Sequence, residues 1–200
     1  DQYIFCEALG KSGKDSMLVL RDTKMEEYLG GAAALSRHIS SFCNKITLLS
    51  MVGEKEENLN QIKKKLPTNV KFKYIRKKNS PTILKRRFID NLNNNKLLGV
   101  YRLNDDVLTN KQDKLFYDIL KKSIPKYDLV IVSDYGHGLI SKKNANLICK
   151  KSNFLSLNTQ INASNKGYHS VSKYKNYNFL IINENELRYE LRDRTSNLKV

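Results

Sequence analysis

The apolar run Val130-Ile131-Val132 ends in Ser133-Asp134-Tyr135-Gly136-His137-Gly138. That order reads as a buried strand whose carboxyl end turns sharply and delivers an aspartate. In open α/β sheets ligands sit outside the carboxyl ends of the strands. Asp134 can accept a hydrogen bond from a substrate hydroxyl, and Gly136 and Gly138 permit the turn and a close approach. The competing reading makes Asp134 the cap of the following turn or helix. His137 reads as an exposed histidine, with a phosphate or hydroxyl contact as the alternative. Gly30-Gly31 stands before Ala32-Ala33-Ala34-Leu35, at a helix entrance where free N–H groups could meet a ligand. Tight packing of that helix on a sheet explains the glycines equally well. Lys85-Arg86-Arg87 alternates along a strand, so Lys85 and Arg87 share a face that could close over a phosphate. Charge protecting an edge strand is the rival reading. Asn183-x-x-Glu186 has the spacing of a helix capping box, with a metal or phosphate role through water as the alternative.

Two motifs are set aside. Gly10-Lys11-Ser12 imitates the end of a phosphate-binding P-loop, but Phe5 stands where the pattern needs a glycine, and the frame through Gly13-Lys14 fails too. Asn162-Ala163-Ser164 fits a glycosylation acceptor without any secretory signal and reads as chance.

The elements that must position these residues follow from periodicity. A helix begins at Gly30-Gly31, a buried strand covers 46–52, a charged helix 54–66, and a strand 70–75. Segments 81–90 and 96–103 form a hairpin around Asn91-Leu92-Asn93-Asn94-Asn95, a turn-forming run. A helix over 113–124 has Leu115, Phe116, Ile119 and Leu120 on one face. Strands over 128–133, 154–157 and 179–182 alternate with helices over 141–151 and 184–191. Alternating strands and helices imply a parallel sheet covered on both faces, and the hairpin interrupts that rhythm as a flap.

Two hundred residues can hold one domain with a sizeable core. The net charge of +16 suits an anionic partner such as a nucleic acid, a membrane surface or a phosphorylated small molecule. Its scattered lysines form no basic arm and read as a solvated surface. Cys6, Cys43 and Cys149 are distant and odd in number, so no metal-ligand spacing or disulfide framework follows, which suits a reducing, cytoplasmic setting. No apolar run approaches the length of a membrane helix. The chain starts at Asp1 and stops in a polar stretch, as a fragment would.

These pieces occur together in an order that resembles the ribokinase-like (PfkB) carbohydrate kinases, most closely the heptose 7-phosphate kinase domain of bacterial ADP-heptose synthases. The carrying residues are Asp1-Gln2-Tyr3, Gly30-Gly31-Ala32-Ala33, Pro81-Thr82-Ile83-Leu84-Lys85, Ser133 to Gly138 as quoted above, and Asn183-x-x-Glu186. The resemblance implies an α/β fold: a ribokinase-like parallel-sheet core with helices on both faces and a small β lid, incomplete here. It implies that residues 1–200 are the N-terminal part of one kinase domain, with the lid hairpin at about 81–103. Asp1 matches the aspartate that holds sugar hydroxyls, Gly30 and Gly31 line the sugar site, and Lys85 matches a lid lysine near the sugar phosphate. Asn183 and Glu186 match the motif that organises Mg²⁺ and the ATP phosphates, partly through water.

Departures from the pattern are specific. Ala34 stands where heptose kinases carry an asparagine, His137 replaces a lysine, and Leu157-Asn158-Thr159-Gln160 occupies the place of an Asp-Pro-Lys segment, which puts Asn158 at the substrate. The family's Gly-x-Gly-Asp motif with its catalytic base is missing and is expected beyond Val200. The expectation is therefore a fragment, inactive alone, of an ATP- and Mg²⁺-dependent cytoplasmic sugar or sugar-phosphate kinase. Heptose phosphate for surface polysaccharide is the expected substrate, with a homodimer through the β lid and an attached nucleotidyltransferase domain. A non-catalytic sugar-phosphate-binding relative and a basic nucleic-acid binder are the alternatives.

Overall fold

The computed structural model describes residues 1–166 and 168–197. The chain divides into two units, Asp1–Asn104 and the part from Asp105 on, and each is taken by itself.

The first unit opens with an antiparallel hairpin, β1 (Gln2–Lys11) and β2 (Leu18–Glu27). Gly10 takes φ 101° beside a register shift, and Ser12 Oγ accepts from the Lys14 and Asp15 amides. The P-loop look-alike is therefore a hairpin end with no helix behind it. Helix α1 (Gly31–Ile39) leads to β3 (Ile46–Gly53), α2 (Leu59–Lys65) and β4 (Val70–Lys77). Strands β3 and β4 run parallel. Ile46, Leu48 and Val70 form a buried cluster closed by Ala32, Ala33, Ile39 and Phe72. Each fully buried aliphatic side chain contributes roughly 1.5–3 kcal/mol. Next come β5 (Leu84–Asp90) and β6 (Lys96–Arg102), and the second sheet has the order β2-β1-β5-β6.

The helix expected over 54–66 is shorter. Glu56 and Asn58 adopt positive φ, and this loop is tied to the 79–82 segment. Glu54 donates its amide to Ser80 O at 2.9 Å, Glu54 Oε2 accepts from the Asn79 amide, and Glu57 Oε2 accepts from the Thr82 amide. Gly53 leaves no room for a side chain there, because a Cβ would stand 2.2 Å from Thr82 N. Tertiary hydrogen bonds override local helix propensity here.

The second unit comprises α3 (Asn110–Ser123), β7 (Leu129–Asp134), α4 (Lys142–Lys151), β8 (Phe154–Thr159), β9 (Phe179–Ile181) and α5 (Glu184–Leu191). The sheet order β7-β8-β9 is parallel throughout. Thr109 and Gln112 close a reciprocal capping box on α3, and Ser141 caps α4. Phe116, Leu120, Ile148, Leu155 and Leu157 are buried. The α3 face differs from expectation at Leu115, which is 54% exposed while Phe116 and Leu120 point inward. The α/β character and parallel strands match the expected fold class. No helix among the described residues is long and apolar enough to cross a membrane, and the three cysteines are unpaired.

Candidate functional site

In the first unit the sequence places Asp1 at the open end of the β1–β2 hairpin, where its carbonyl accepts the Tyr28 amide at 2.9 Å. This sets its carboxylate against Gly30: a Cβ on that glycine would lie 2.9 Å from Asp1 Oδ2. Gly30 is the residue before α1, a helix with no side-chain cap and no acid in its first turn. An acceptor thus stands beside a helix start, whose amides carry partial positive charge. Gly31 follows with φ 52°. Ala34 lies one turn on, its amide bonded to Gly30 O at 3.4 Å, and its methyl group offers only van der Waals contact.

Strand β5 runs parallel to β1 with Tyr3 opposite Arg87, and pairs with β6 so that Lys85 faces Tyr101 and Arg87 faces Gly99. Tyr3, Lys85, Arg87 and Tyr101 therefore share one face of the sheet. The Arg87 guanidinium lies 5.3 Å from the Tyr3 ring centroid and 5.9 Å from that of Tyr101. Lys85 Nζ lies 5.5 Å from the Tyr101 centroid. Arg87 Nη1 approaches Asp1 Oδ1 at 3.2 Å. Gly99 leaves room for this arrangement, since a Cβ there would press on the Tyr101 ring at 3.2 Å. On the other face Arg86 donates to Gln2 Oε1, as alternation requires. Tyr3 stands in the Asp1-Gln2-Tyr3 motif with no role of its own and Tyr101 carries no local signal; only the strand register reveals that they flank Arg87.

In the second unit Asp134 ends β7 and is 5% exposed. Its carboxylate is fully engaged. Lys173 ion-pairs with Oδ2, the Tyr174 hydroxyl donates to the same oxygen at 2.7 Å, and the Gly136 amide donates to Oδ1 at 3.0 Å. His169 Nε2 lies 3.7 Å from Oδ1. Burial alone would push this carboxyl up, but Lys173, His169 and the Tyr174 hydroxyl outweigh it and hold it below the usual aspartate value. Burial and the Asp134 charge drive the Tyr174 phenol far above the ordinary tyrosine range. Asp134 thus serves as turn cap and hub of a buried network.

His137 corrects the sequence reading. It is 7% exposed rather than exposed, its Nδ1 lies 2.6 Å from Asp105 Oδ1, and its ring stacks on Tyr135. The reason is the turn itself: Gly138 at φ 82° packs so closely that a Cβ would meet Asp106 O at 2.0 Å. Asn162 bonds Tyr135 O through Nδ2 at 2.9 Å, so its amide is occupied as a structural tie.

Asn158 Nδ2 donates to Ile181 O at 2.7 Å and ties β8 to β9. Asn183 and Glu186 form the expected reciprocal capping box of α5. Glu186 Oε2 accepts from the Asn183 amide at 2.9 Å and Oε1 from the Ile161 amide at 3.2 Å. With both oxygens on backbone donors, Glu186 fits Mg²⁺ as an acceptor for its water rather than as a direct ligand. Among the described residues no group of three or more His, Cys, Asp or Glu could hold a metal ion. The structure therefore places Asp1, Gly30, Gly31, Ala34 and Lys85 in the first unit, and in the second Asp134 and Asn158 toward the ends of β7 and β8 with Asn183 and Glu186 at the start of α5.

No protein-family profile matches the chain. It is 25% identical over 152 residues to the bifunctional protein HldE of a Nitratiruptor species, covering 76% of this chain and 32% of that protein. It is 25% identical over 186 residues to the bifunctional protein HldE of Campylobacter jejuni subsp. doylei, covering 93% of this chain and 38% of that protein. Among solved structures, Escherichia coli phosphofructokinase-2 in complex with fructose-6-phosphate superposes with TM-score 0.66 at 15% identity, over 99% of this chain and 62% of that one. The Methanocaldococcus jannaschii nucleoside kinase, an archaeal member of the ribokinase family, does so with TM-score 0.51 at 17% identity, over 97% and 62%. The chain thus spans 32–38% of the curated relatives' length.

Proposed function

Taking the chain as a ribokinase-like relative of the HldE proteins, we propose that it is part of a cytoplasmic kinase acting on a sugar or sugar phosphate. One observation carries this reading: the Asp1 carboxylate, beside the α1 start, has among the described residues no hydrogen-bond donor on it and only the Arg87 ion pair. A sugar hydroxyl needs an acceptor for its proton and a donor for its oxygen, and this corner supplies both. Gly30 and Gly31 keep the approach open, and Ala34 adds an apolar wall. Lys85, on the same face as Arg87, meets a phosphate on the sugar, with a heptose phosphate as the substrate. We read residues 1–200 as belonging to one kinase domain, with the hairpin of β5 and β6 as part of a β lid.

ATP would supply the transferable phosphoryl group, and Mg²⁺ would neutralise charge on its phosphates. Asn183 orders the start of α5, and Glu186 would accept a hydrogen bond from a metal-held water. Across the sheet, Met25, Ile4, Phe88 and Leu98 stand in register. Met25 and Leu98 are 57% and 54% exposed. This apolar row supports a homodimer formed through the lid.

The test is ADP release by the full gene product with Mg-ATP and a panel of sugars and sugar phosphates, heptose 7-phosphate included. Turnover that Asp1→Asn abolishes supports the kinase. One observation favours a second reading, a non-catalytic sugar-phosphate-binding relative: both Asp134 oxygens and the Asn158 Nδ2 are held by internal partners. Absence of turnover across the panel from folded protein that still binds a sugar phosphate would select it.

A further inference from the structure

We propose that Arg87 is a positioning residue that holds the Asp1 carboxylate in its receiving posture without using up its acceptor capacity. This rests on the reading of Asp1 as the acceptor of sugar hydroxyls.

An aspartate at a hairpin end has two rotatable side-chain bonds and would ordinarily sample several rotamers. Here three features restrict it. Gly30 offers a shallow seat that any larger residue would fill, with Asp1 Oδ2 2.9 Å from the Cβ position. Arg87 attracts Oδ1 from 3.2 Å. Arg87 is itself held, its guanidinium between the Tyr3 ring at 5.3 Å and the Tyr101 ring at 5.9 Å. A planar, delocalised cation suits such faces, and a lysine ammonium would not be oriented by them in the same way.

The geometry of the pair matters as much as its presence. A bidentate arginine would place two N–H donors on the carboxylate and occupy both oxygens. Arg87 Nη1 is buried and finds no aligned acceptor despite its closeness to Oδ1. The contact is therefore an attraction between charges, not a directed hydrogen bond. The carboxylate is fixed by the field and by the Gly30 seat, while its lone pairs stay available to ligand hydroxyls. The cage also directs the guanidinium at Asp1, so the cation acts on the ligand through the aspartate.

The experiment measures binding of sedoheptulose and of sedoheptulose 7-phosphate to this chain by saturation-transfer NMR titration, with thermal unfolding as a check on folding. Asp1→Asn tests the underlying site and should weaken both ligands. Arg87→Gln should weaken both by the same factor, up to about 100-fold when the carboxylate is misplaced by an ångström. Arg87→Lys should recover part of that loss. Tyr101→Leu changes a half-exposed residue, leaves Asp1 and Arg87 in place, and should weaken both ligands equally through loss of the cage. A larger loss for the phosphorylated sugar in Arg87→Gln would mean that Arg87 binds the anion directly and would overturn the proposal. So would full affinity in folded Arg87→Gln while Asp1→Asn loses binding. If Asp1→Asn keeps full affinity, or the unaltered chain binds neither sugar, the site reading itself fails and the proposal with it.

Discussion

Replacing Tyr174 by phenylalanine removes one oxygen from the centre of the second unit, and its effect should change with pH in a calculable way. Tyr174 is 3% exposed and donates to Asp134 Oδ2 at 2.7 Å. A hydrogen bond to a charged group contributes about 1.5–3 kcal/mol, and Lys173 remains on the same oxygen. The loss at pH 7 should therefore fall near the lower end, about 1.5 kcal/mol. The folded phenol titrates far above its unfolded value, pushed there by burial and by Asp134. A group raised in this way contributes fully below its unfolded pKa of about 10 and loses that contribution as pH rises. At pH 11 the unfolded wild-type chain gains about 1.4 kcal/mol by releasing a proton that the folded chain keeps. The Tyr174→Phe chain has no such proton, and the other tyrosines cancel in the comparison. The stability gap should accordingly shrink from about 1.5 kcal/mol at pH 7 to near zero at pH 11. Urea unfolding followed by circular dichroism at pH 7, 9, 10 and 11 measures it. A gap that stays constant across that range would refute the reasoning, because it would mean the phenol titrates normally in the folded state.

Three further outcomes are expected. Gly138→Ala should destabilise the second unit by about 3 kcal/mol or more, because the new Cβ meets Asp106 O at 2.0 Å and φ is 82°; thermal unfolding reads this directly. Gly30→Ala should behave differently, since the atoms nearest its Cβ belong to the Asp1 carboxylate, a side-chain end rather than backbone, which would be pushed out of its seat. Stability should change by less than about 1 kcal/mol, while sugar binding, followed by titration, falls at least about tenfold. Leu98→Glu places a charge in the apolar row across the lid and should shift sedimentation equilibrium toward the monomer, leaving circular dichroism unchanged.

The parts of this structure that were legible in the sequence are those whose causes are local. The strand at Val130 to Val132, the helix after Gly30-Gly31 and the Asn183-x-x-Glu186 cap each carry their signal within a few residues, and the structure reproduces them. The β1–β2 hairpin was hidden because Glu7 to Lys11 and Arg21 to Met25 are exposed on both faces, leaving no alternation of apolar and polar residues to read. The loop before α2 was hidden because distant Ser80 and Thr82 decide it. His137 was misread for a similar reason: its partner Asp105 lies thirty-two residues earlier. Asp134 was found as a strand-end aspartate, but nothing in its neighbourhood announced Lys173 and Tyr174, which determine what its oxygens are doing. The aromatic flanks of Arg87 depend on the register of three strands, a property no short motif records.

Gly99 has no side chain, and its place is taken by the ring of Tyr101 two residues along the same strand. The two positions are therefore sterically coupled, since a side chain at the first must displace the ring at the second. In homologous chains a tyrosine at the second position should appear with glycine at the first, and any larger residue at the first should coincide with loss of the aromatic ring. A mutational drift that broke the pairing at either position would release the arginine opposite, although neither position touches Asp1. An alignment of relatives deep enough to count paired changes would thus carry a record of whether lineages have kept or discarded the orientation of that carboxylate.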